Sequence, residues 1–263
     1  MASSSPEADR DLLIEAAREA GAVALSHHRR DPRAWEKGGG AGPVSEADLA
    51  ANRTLAERLR GARPDYGWLS EETPDDCERL SRARTLIVDP IDGTRAFLRG
   101  EAGWCVALAV AERGRVIAAA AFFPVSGKLY AAAAGAGATK DGGPLAPSRR
   151  ESLEGALALT GGPQLRAEHW PGGPPPMRRA YRASLIHRIL QASDGEADAA
   201  FTFRDVWEWD AAAGALIAAE AGCIATDGVG APLAFNSPTR RHPGLIVAPP
   251  ALHAALLARR RPR

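Results

Sequence analysis

The sequence predicts a layered α/β (α+β) protein with helices packed on both sides of its sheets. Three observations predict it. Helical periodicity dominates the chain up to Arg60, consecutive apolar runs follow from Thr85 to Ala134, and helix alternates with strand from Ser184 onward.

Leu12, Leu13, Ala16, Ala17, Ala20, Val23 and Ala24 recur at helical spacing, so about Glu7 to His28 reads as an amphipathic helix. Gly38, Gly39 and Gly40 make a loop that leads through Pro43 to Ser45, an N-cap for a second helix carrying Leu49, Leu55 and Leu59. Tyr66 to Ser70 reads as extended. Thr85 to Val88 form a β-favouring run that passes straight into Asp89 and Asp92, held between Pro90 and Gly93. Trp104 to Ala111 and Val116 to Phe123 flank the hairpin signal ERGR, and Lys128 to Ala134 follows, so the sheet is sizeable and mostly antiparallel. Between Gly142 and Pro176 the chain is rich in Gly and Pro, with Ala156 to Thr160 as its one clear strand, which sets a boundary between subregions 1–145 and 146–263. Beyond it, Ser184 to Ser193, Asp210 to Ala221 and Pro250 to Ala258 read as helices. Ala199 to Phe203, Cys223 to Thr226 and Gly244 to Ala248 read as strands.

At 263 residues and 45% hydrophobic content, the chain can bury a large core. Its 33 Lys plus Arg against 32 Asp plus Glu supply no electrostatic reason for a nucleic-acid or membrane partner. Arg259, Arg260, Arg261 and Arg263 are read as a solvated, frayed terminus. The three cysteines, Cys77, Cys105 and Cys223, contain no CxxC pair, and the acidic N-terminal segment lacks the basic start and apolar run of a secretory signal. A reducing, cytoplasmic location is expected.

Glu71-Glu72, Asp89, Asp92 and Asp210 sit at the ends of elements, where carboxylates are available to a ligand. Buried together they would repel unless protons, bases or metal neutralised them. Hard oxygen donors with few histidines nearby favour Mg²⁺. Gly93 and Thr94 open a short helix whose free N–H groups suit a phosphate, so metal and anion cradle together mean phosphoryl chemistry. Plainer readings stand beside this one. LIVDPIDGT also reads as a strand and a capped turn, Asp210 as an N-cap, Glu71-Glu72 as a solvated pair, Lys37 as surface, and His27-His28 as helix surface.

Taken in order, WLSEET, VDPIDGTRAF and EWDAAAG resemble the metal-site signatures of the inositol monophosphatase superfamily, magnesium-dependent and lithium-sensitive phosphatases, over most of the chain. PVSEADLAAN resembles the segment where that family carries a further acid, here Asp48. The resemblance implies alternating α-β-α-β-α layers, with a large mostly antiparallel sheet and a smaller second one. It implies that Glu71, Asp89 and the Ile91 carbonyl hold one Mg²⁺, and that Asp89, Asp92 and Asp210 hold a second. Thr94 would pair with Glu71 at the attacking water, and Asp48 would assist that water or a third, looser Mg²⁺. Gly93 and Thr94 would hold the phosphate through their N–H groups. Lys37, eleven positions before Asp48, matches the spacing of a family lysine at the substrate. The implied chemistry is one-step hydrolysis by metal-activated water, with Cys105 and the six histidines uninvolved.

Seven positions before Asp210, where inositol-cleaving members carry an acid, stands Phe203. A phenyl ring there could pack on a sugar or adenine, with Arg204 beside it meeting another phosphate; core packing of Phe201 and Phe203 is the competing reading. VWEWDAAAG and PVSEADLAAN resemble the 3'(2'),5'-bisphosphate nucleotidase branch, which acts on adenosine 3',5'-bisphosphate, more than they resemble animal inositol monophosphatases. Inositol-1-monophosphatase, fructose-1,6-bisphosphatase and histidinol phosphatase are the alternatives, and a catalytically silent regulatory binding protein is the non-enzymatic one. The expected partner is a small phosphorylated metabolite, and the family resemblance adds a homodimer.

Overall fold

A computed structural model describes residues 4–38 and 42–260. Gly39 and Gly40 of the expected loop, and Arg261 and Arg263 of the basic terminus, lie outside the described residues.

Helix α1 (Pro6–His27) starts at Ser5, whose hydroxyl accepts from the Ala8 amide. A hairpin of β1 (Ala34–Glu36) and β2 (Pro43–Ser45), which sequence reading takes for loop, leads into α2 (Glu46–Ala62). Ser45 caps α2 as expected, and Asp48 closes the capping box from within the first turn. Next come β3 (Gly67–Ser70), β4 (Arg84–Asp92), the short helix α3 (Thr94–Leu98), β5 (Cys105–Glu112), β6 (Arg115–Phe123), β7 (Lys128–Ala133), β8 (Ala138–Lys140) and β9 (Gly143–Pro144). They form one seven-stranded sheet in the order β3-β4-β5-β6-β7-β8-β9, parallel only between β3 and β4.

The second half supplies β10 (Leu157–Leu159), β11 (Arg178–Ala180), α4 (Leu185–Ser193), β12 (Ala199–Thr202), β13 (Val206–Trp207), α5 (Ala212–Glu220), β14 (Ile224–Thr226), β15 (Arg241–His242), β16 (Leu245–Ala248) and α6 (Pro250–Arg259). A second sheet of five strands runs β11-β10-β12-β16-β14, and β13 pairs with β15 apart from it. The strands missed from sequence, β8, β9, β11, β13 and β15, are two or three residues long, too short for a period-2 pattern to emerge.

Alternation along the strands sorts the core into layers. Leu86 and Val88 of β4, with Val106, Leu108 and Val110 of β5, face Leu13, Ala17 and Ala20 of α1 and Leu55 and Leu59 of α2. Ile87, Ala107 and Ala109 point the other way, onto Ile186 and Ile189 of α4, Leu216 and Ile217 of α5, and Leu159, Ala200 and Val247 of the second sheet. Beyond that sheet, Ala158, Phe201 and Ile246 pack against Leu252 and Leu256 of α6. The order α-β-α-β-α is thus built from strand periodicity. Gly21 lets α1 lie close on the sheet, since a Cβ there would lie 2.7 Å from the Phe122 ring.

An irregularity in β4 aligns two of the acids. Asp89 pairs with Ala107 and Asp92 with Cys105, so Pro90 and Ile91 oppose a single residue of β5. Residues three apart on a regular strand face opposite sides of a sheet; this bulge puts Asp89 and Asp92 on the same side. Pro90 has no N–H for the ladder, and the Ile91 N–H donates to Asp89 Oδ1 at 3.0 Å.

Two residues depart from their expected exposure. His28 is buried rather than on the helix surface, tilted against Phe97 and Trp104 with Nε2 3.1 Å from the Glu101 carbonyl oxygen. Arg260 is buried rather than solvated, its guanidinium 3.9 Å from the Phe203 ring centre. No helix among the described residues is long and apolar enough to cross a membrane.

Candidate metal centre

β3 and β4 run parallel with Ser70 beside Val88, so their carboxyl ends bring Glu71 and Asp89 together, and the Glu71 N–H donates to the Val88 carbonyl at 3.2 Å. The bulge adds Asp92. Asp210 arrives from the turn before α5, its N–H donating to the Trp207 carbonyl at 3.1 Å. Asp210 is not the helix cap: the N-cap of α5 is Ala211, with no side-chain cap bond, which leaves the carboxylate to the site. One carboxylate oxygen from each of Glu71, Asp89 and Asp210 lies within 4.8 Å of the others.

Asp92 stands slightly apart, because its carboxylate receives the first turn of α4. The Ser184 hydroxyl donates to it at 2.5 Å, the Ile186 N–H at 2.7 Å and the Leu185 N–H at 3.3 Å. A helix N-terminus favours a carboxylate, so this acid ties the large sheet to α4.

Burial, then Glu71, Asp92 and Asp210, push the Asp89 carboxyl well above the ordinary carboxylate range, and burial, then Glu71, do the same to Asp210. Asp92 is raised to about 6 by burial, against the opposing bonds from Ser184 and Ile186. Glu72 is raised to about 7 by burial and by Glu71, with Lys37 opposing. Oδ2 of Asp89 is buried with no hydrogen-bond partner among the described residues, beyond a proton that Asp210 could share with it. Anionic oxygens held this close, one of them without a donor, fit a divalent cation in place of protons, and an all-oxygen donor set fits Mg²⁺.

Lys37, expected at the substrate, lies against the acids of the site. Its ammonium donates to Glu71 at 2.7 Å and to Glu72 at 2.6 Å, so this acidic pair is not solvated. Thr94 departs from expectation: its hydroxyl pairs with Asp48 Oδ1 at 3.1 Å, rather than with Glu71, and with the Ile91 carbonyl at 3.1 Å. The other oxygen of Asp48 takes the Ser45 amide at 2.8 Å and hydroxyl at 2.6 Å. The capping box therefore fixes the acid that fixes Thr94. Burial raises the Asp48 carboxyl above its usual range.

At the acids opens a cleft of about 200 Å³, lined by Gly93, Thr94 and Arg95 from the start of α3 and by Tyr181, Arg188, Arg204 and Trp207 from the second half of the chain. Phe203 is not part of it. Its ring is 2% exposed and lies in the aromatic cluster of Trp170 and Phe201, so the expected stacking contact is replaced by core packing. The reason is the period of β12: Phe201 and Phe203 share the face toward α6, while Thr202, on the opposite face, lines the cleft. Arg204 does line it, as expected. Gly93 sits at φ +97°, and a Cβ there would lie 3.1 Å from Ser184 Cβ, so glycine lets α3 start against α4. Cys105 is buried, and its thiol is pushed well above the usual range by burial and then Asp92, which keeps it protonated. Ser184, Tyr181 and Arg188 escaped sequence reading. Only Ser184, as the N-cap of α4, left a signal that could have found it.

Known proteins resemble this chain in both sequence and fold. The profile of the inositol monophosphatase family matches residues 6–263. An inositol-1-monophosphatase of Rhizobium meliloti is 36% identical over 206 residues, 74% of this chain and 76% of that protein. A 3'-phosphoadenosine 5'-phosphate phosphatase of Mycobacterium leprae is 32% identical over 220 residues, 72% of this chain and 71% of that one. Among solved structures, the extragenic suppressor protein SuhB of Bartonella henselae superposes with a TM-score of 0.81 at 26% identity, covering 95% of this chain and 97% of that chain.

Proposed function

The chain belongs to the inositol monophosphatase family of metal-dependent phosphatases, and from that premise we propose that it hydrolyses a small phosphomonoester in the cleft at Glu71, Asp89 and Asp210. The observation that carries this reading is the approach of those three carboxylates to within 4.8 Å, with one buried oxygen lacking a donor. Residues 1–145 would supply most of the metal ligands, and residues 146–263 Asp210 and the specificity wall.

In this reading Glu71, Asp89 and the Ile91 carbonyl would hold one Mg²⁺, and Asp89, Asp92 and Asp210 would hold a second. Bound there, the cations would lower the pKa of water and stabilise the departing alkoxide. Thr94 and Asp48 manage the proton: the Thr94 hydroxyl, already donating toward Asp48, accepts from an attacking water as it gives up its own hydrogen. Asp48 suits the receiving end because burial has raised its carboxyl. The N–H groups of Gly93 and Thr94, at the open end of α3, hold the phosphate. Lys37 balances and orients Glu71 through its bonds to Glu71 and Glu72.

For the substrate we favour a 3'(2'),5'-bisphosphate nucleotide such as adenosine 3',5'-bisphosphate. Arg204 on the cleft wall suits a second phosphate, and the Mycobacterium leprae relative carries the corresponding name. The second reading, inositol 1-phosphate, has the Rhizobium relative behind it. A phosphate-release panel of these two esters with fructose 1,6-bisphosphate and histidinol phosphate, at saturating Mg²⁺ with and without Li⁺, tests both. The bisphosphate should give the highest kcat/KM. A higher value for inositol 1-phosphate establishes the second reading, and no release from any ester refutes the phosphatase itself.

A further inference from the structure

The cleft wall holds a cation that the hydrolytic step leaves unused. Arg188 lies on α4, one turn beyond the Ser184 cap, and is 7% exposed. Its Nε donates to the Ser184 carbonyl at 3.3 Å, and its guanidinium lies 5.3 Å from the Tyr181 ring centre. It makes no ion pair with any described residue, although the carboxylates of Asp92 and Asp210 are close enough to act on it, as are Arg204 and Tyr181. A guanidinium has five N–H donors, and one is accounted for within the protein. The terminal nitrogens are not among the enclosed atoms that lack partners, and the residue lines the cleft, so their donors face its open space.

Arg204 lines the same wall and likewise makes no ion pair with a described residue. Arg204 is exposed, yet close enough to act on buried Arg188 as a like charge, and an anion between or beside them relieves that repulsion. In the proposed reaction the phosphate under attack lies over the carboxylates and the start of α3. An anion at Arg188 is therefore a different group, carried on the leaving alcohol, since Arg188 borders Asp92 and Asp210 and not the Thr94–Asp48 pair. Tyr181, 52% exposed, backs on to Arg188 and presents the rest of its ring to solvent at the cleft mouth, where a flat group attached to that alcohol would lie. Trp207 cannot offer the same platform: Trp209 stacks on it at 4.7 Å, and Arg241 lies 3.6 Å from its ring centre, so both its faces are covered.

We propose that Arg188 is a specificity-determining residue that binds a second anionic group on the leaving-group side of the substrate, selecting bisphosphorylated over singly phosphorylated esters. This rests on the phosphatase reading and deepens it.

The test compares adenosine 3',5'-bisphosphate with adenosine 3'-monophosphate, which has the same ester and lacks the second anion, in wild type, Arg188→Met and Arg188→Lys. Arg188→Met keeps bulk without charge, and a thermal melt confirms folding. The expected result is a fall of about 10- to 100-fold in the kcat/KM ratio of bisphosphate to monophosphate in Arg188→Met, mostly through KM, the loss of a charge-assisted pair. Arg188→Lys should recover part of it. A second readout is calorimetric titration with adenosine 5'-monophosphate, which carries only the non-reacting anion: binding by wild type that is lost in Arg188→Met supports the proposal. Equal loss on both esters, or an unchanged ratio, overturns it. Should wild type release phosphate from neither ester, the phosphatase reading fails, and the titration decides this proposal alone, equal affinity in both proteins overturning it.

Discussion

Thr94 Oγ1 lies 3.1 Å from both Asp48 Oδ1 and the Ile91 carbonyl oxygen, so one hydroxyl connects the capping box of α2 to the bulge of β4. If this hydroxyl relays the proton, Thr94→Val should lower kcat by about 10²- to 10⁴-fold with KM little changed. Asp48→Asn should fall in the same range, and the double variant no further, because the two act as one unit. Steady-state phosphate release decides it. A Thr94→Val enzyme with wild-type kcat would remove the relay from the mechanism.

Asp89→Asn and Asp210→Asn should each abolish turnover and leave the fold intact. In the absence of metal each should melt higher than wild type, since each deletes a charge that its neighbours repel. Added Mg²⁺ should raise the melting temperature of wild type and not of the variants. Full activity in either variant would refute the metal assignment.

The raised carboxyls carry a consequence for pH. Asp92 is raised from 3.8 to about 6 and Glu72 from 4.5 to about 7. An acid raised on folding contributes stability that is fully present below its unfolded pKa and lost as pH rises through the folded one. The metal-free protein should therefore lose stability between about pH 4 and pH 7, and Mg²⁺ should return most of it above that window. Denaturant melts at several pH values, with chelator and with Mg²⁺, measure this. Metal-free stability rising across the window would contradict the burial of these acids as charged neighbours.

Ser184 Oγ donates to Asp92 at 2.5 Å and accepts from the His187 amide at 2.8 Å. Ser184→Ala should cost about 1–2 kcal/mol of stability as a lost N-cap, and more Mg²⁺ should be needed for half-maximal activity as Asp92 loses its tether. Unchanged Mg²⁺ activation would confine Ser184 to a structural role.

Fold and site were legible in the sequence where a single element carries the signal. The periodicity of Leu13, Ala17 and Ala20 located α1, Ser45 located the start of α2, and DPIDGT marked where chemistry would gather. Juxtaposition across elements was harder to see. Nothing local says that Thr94 faces Asp48 instead of Glu71, because that depends on how the start of α2 sits against α3. Counting back from Asp210 landed on Phe203, yet β12 directs Thr202 into the cleft: a one-residue slip reverses every side chain of a strand. Arg188 left no trace, since an arginine on an amphipathic helix reads as surface, and its place in the cleft wall against Tyr181 depends on segments outside the helix.

The ladder defect at Pro90 and Ile91 sets thermostability and turnover against each other. A substitution at position 90 that gave the strand back an amide and straightened it would add a hydrogen bond to the sheet while swinging Asp92 away from its companion. Directed evolution of this protein for heat resistance alone should enrich changes there, and the survivors should be robust and inert.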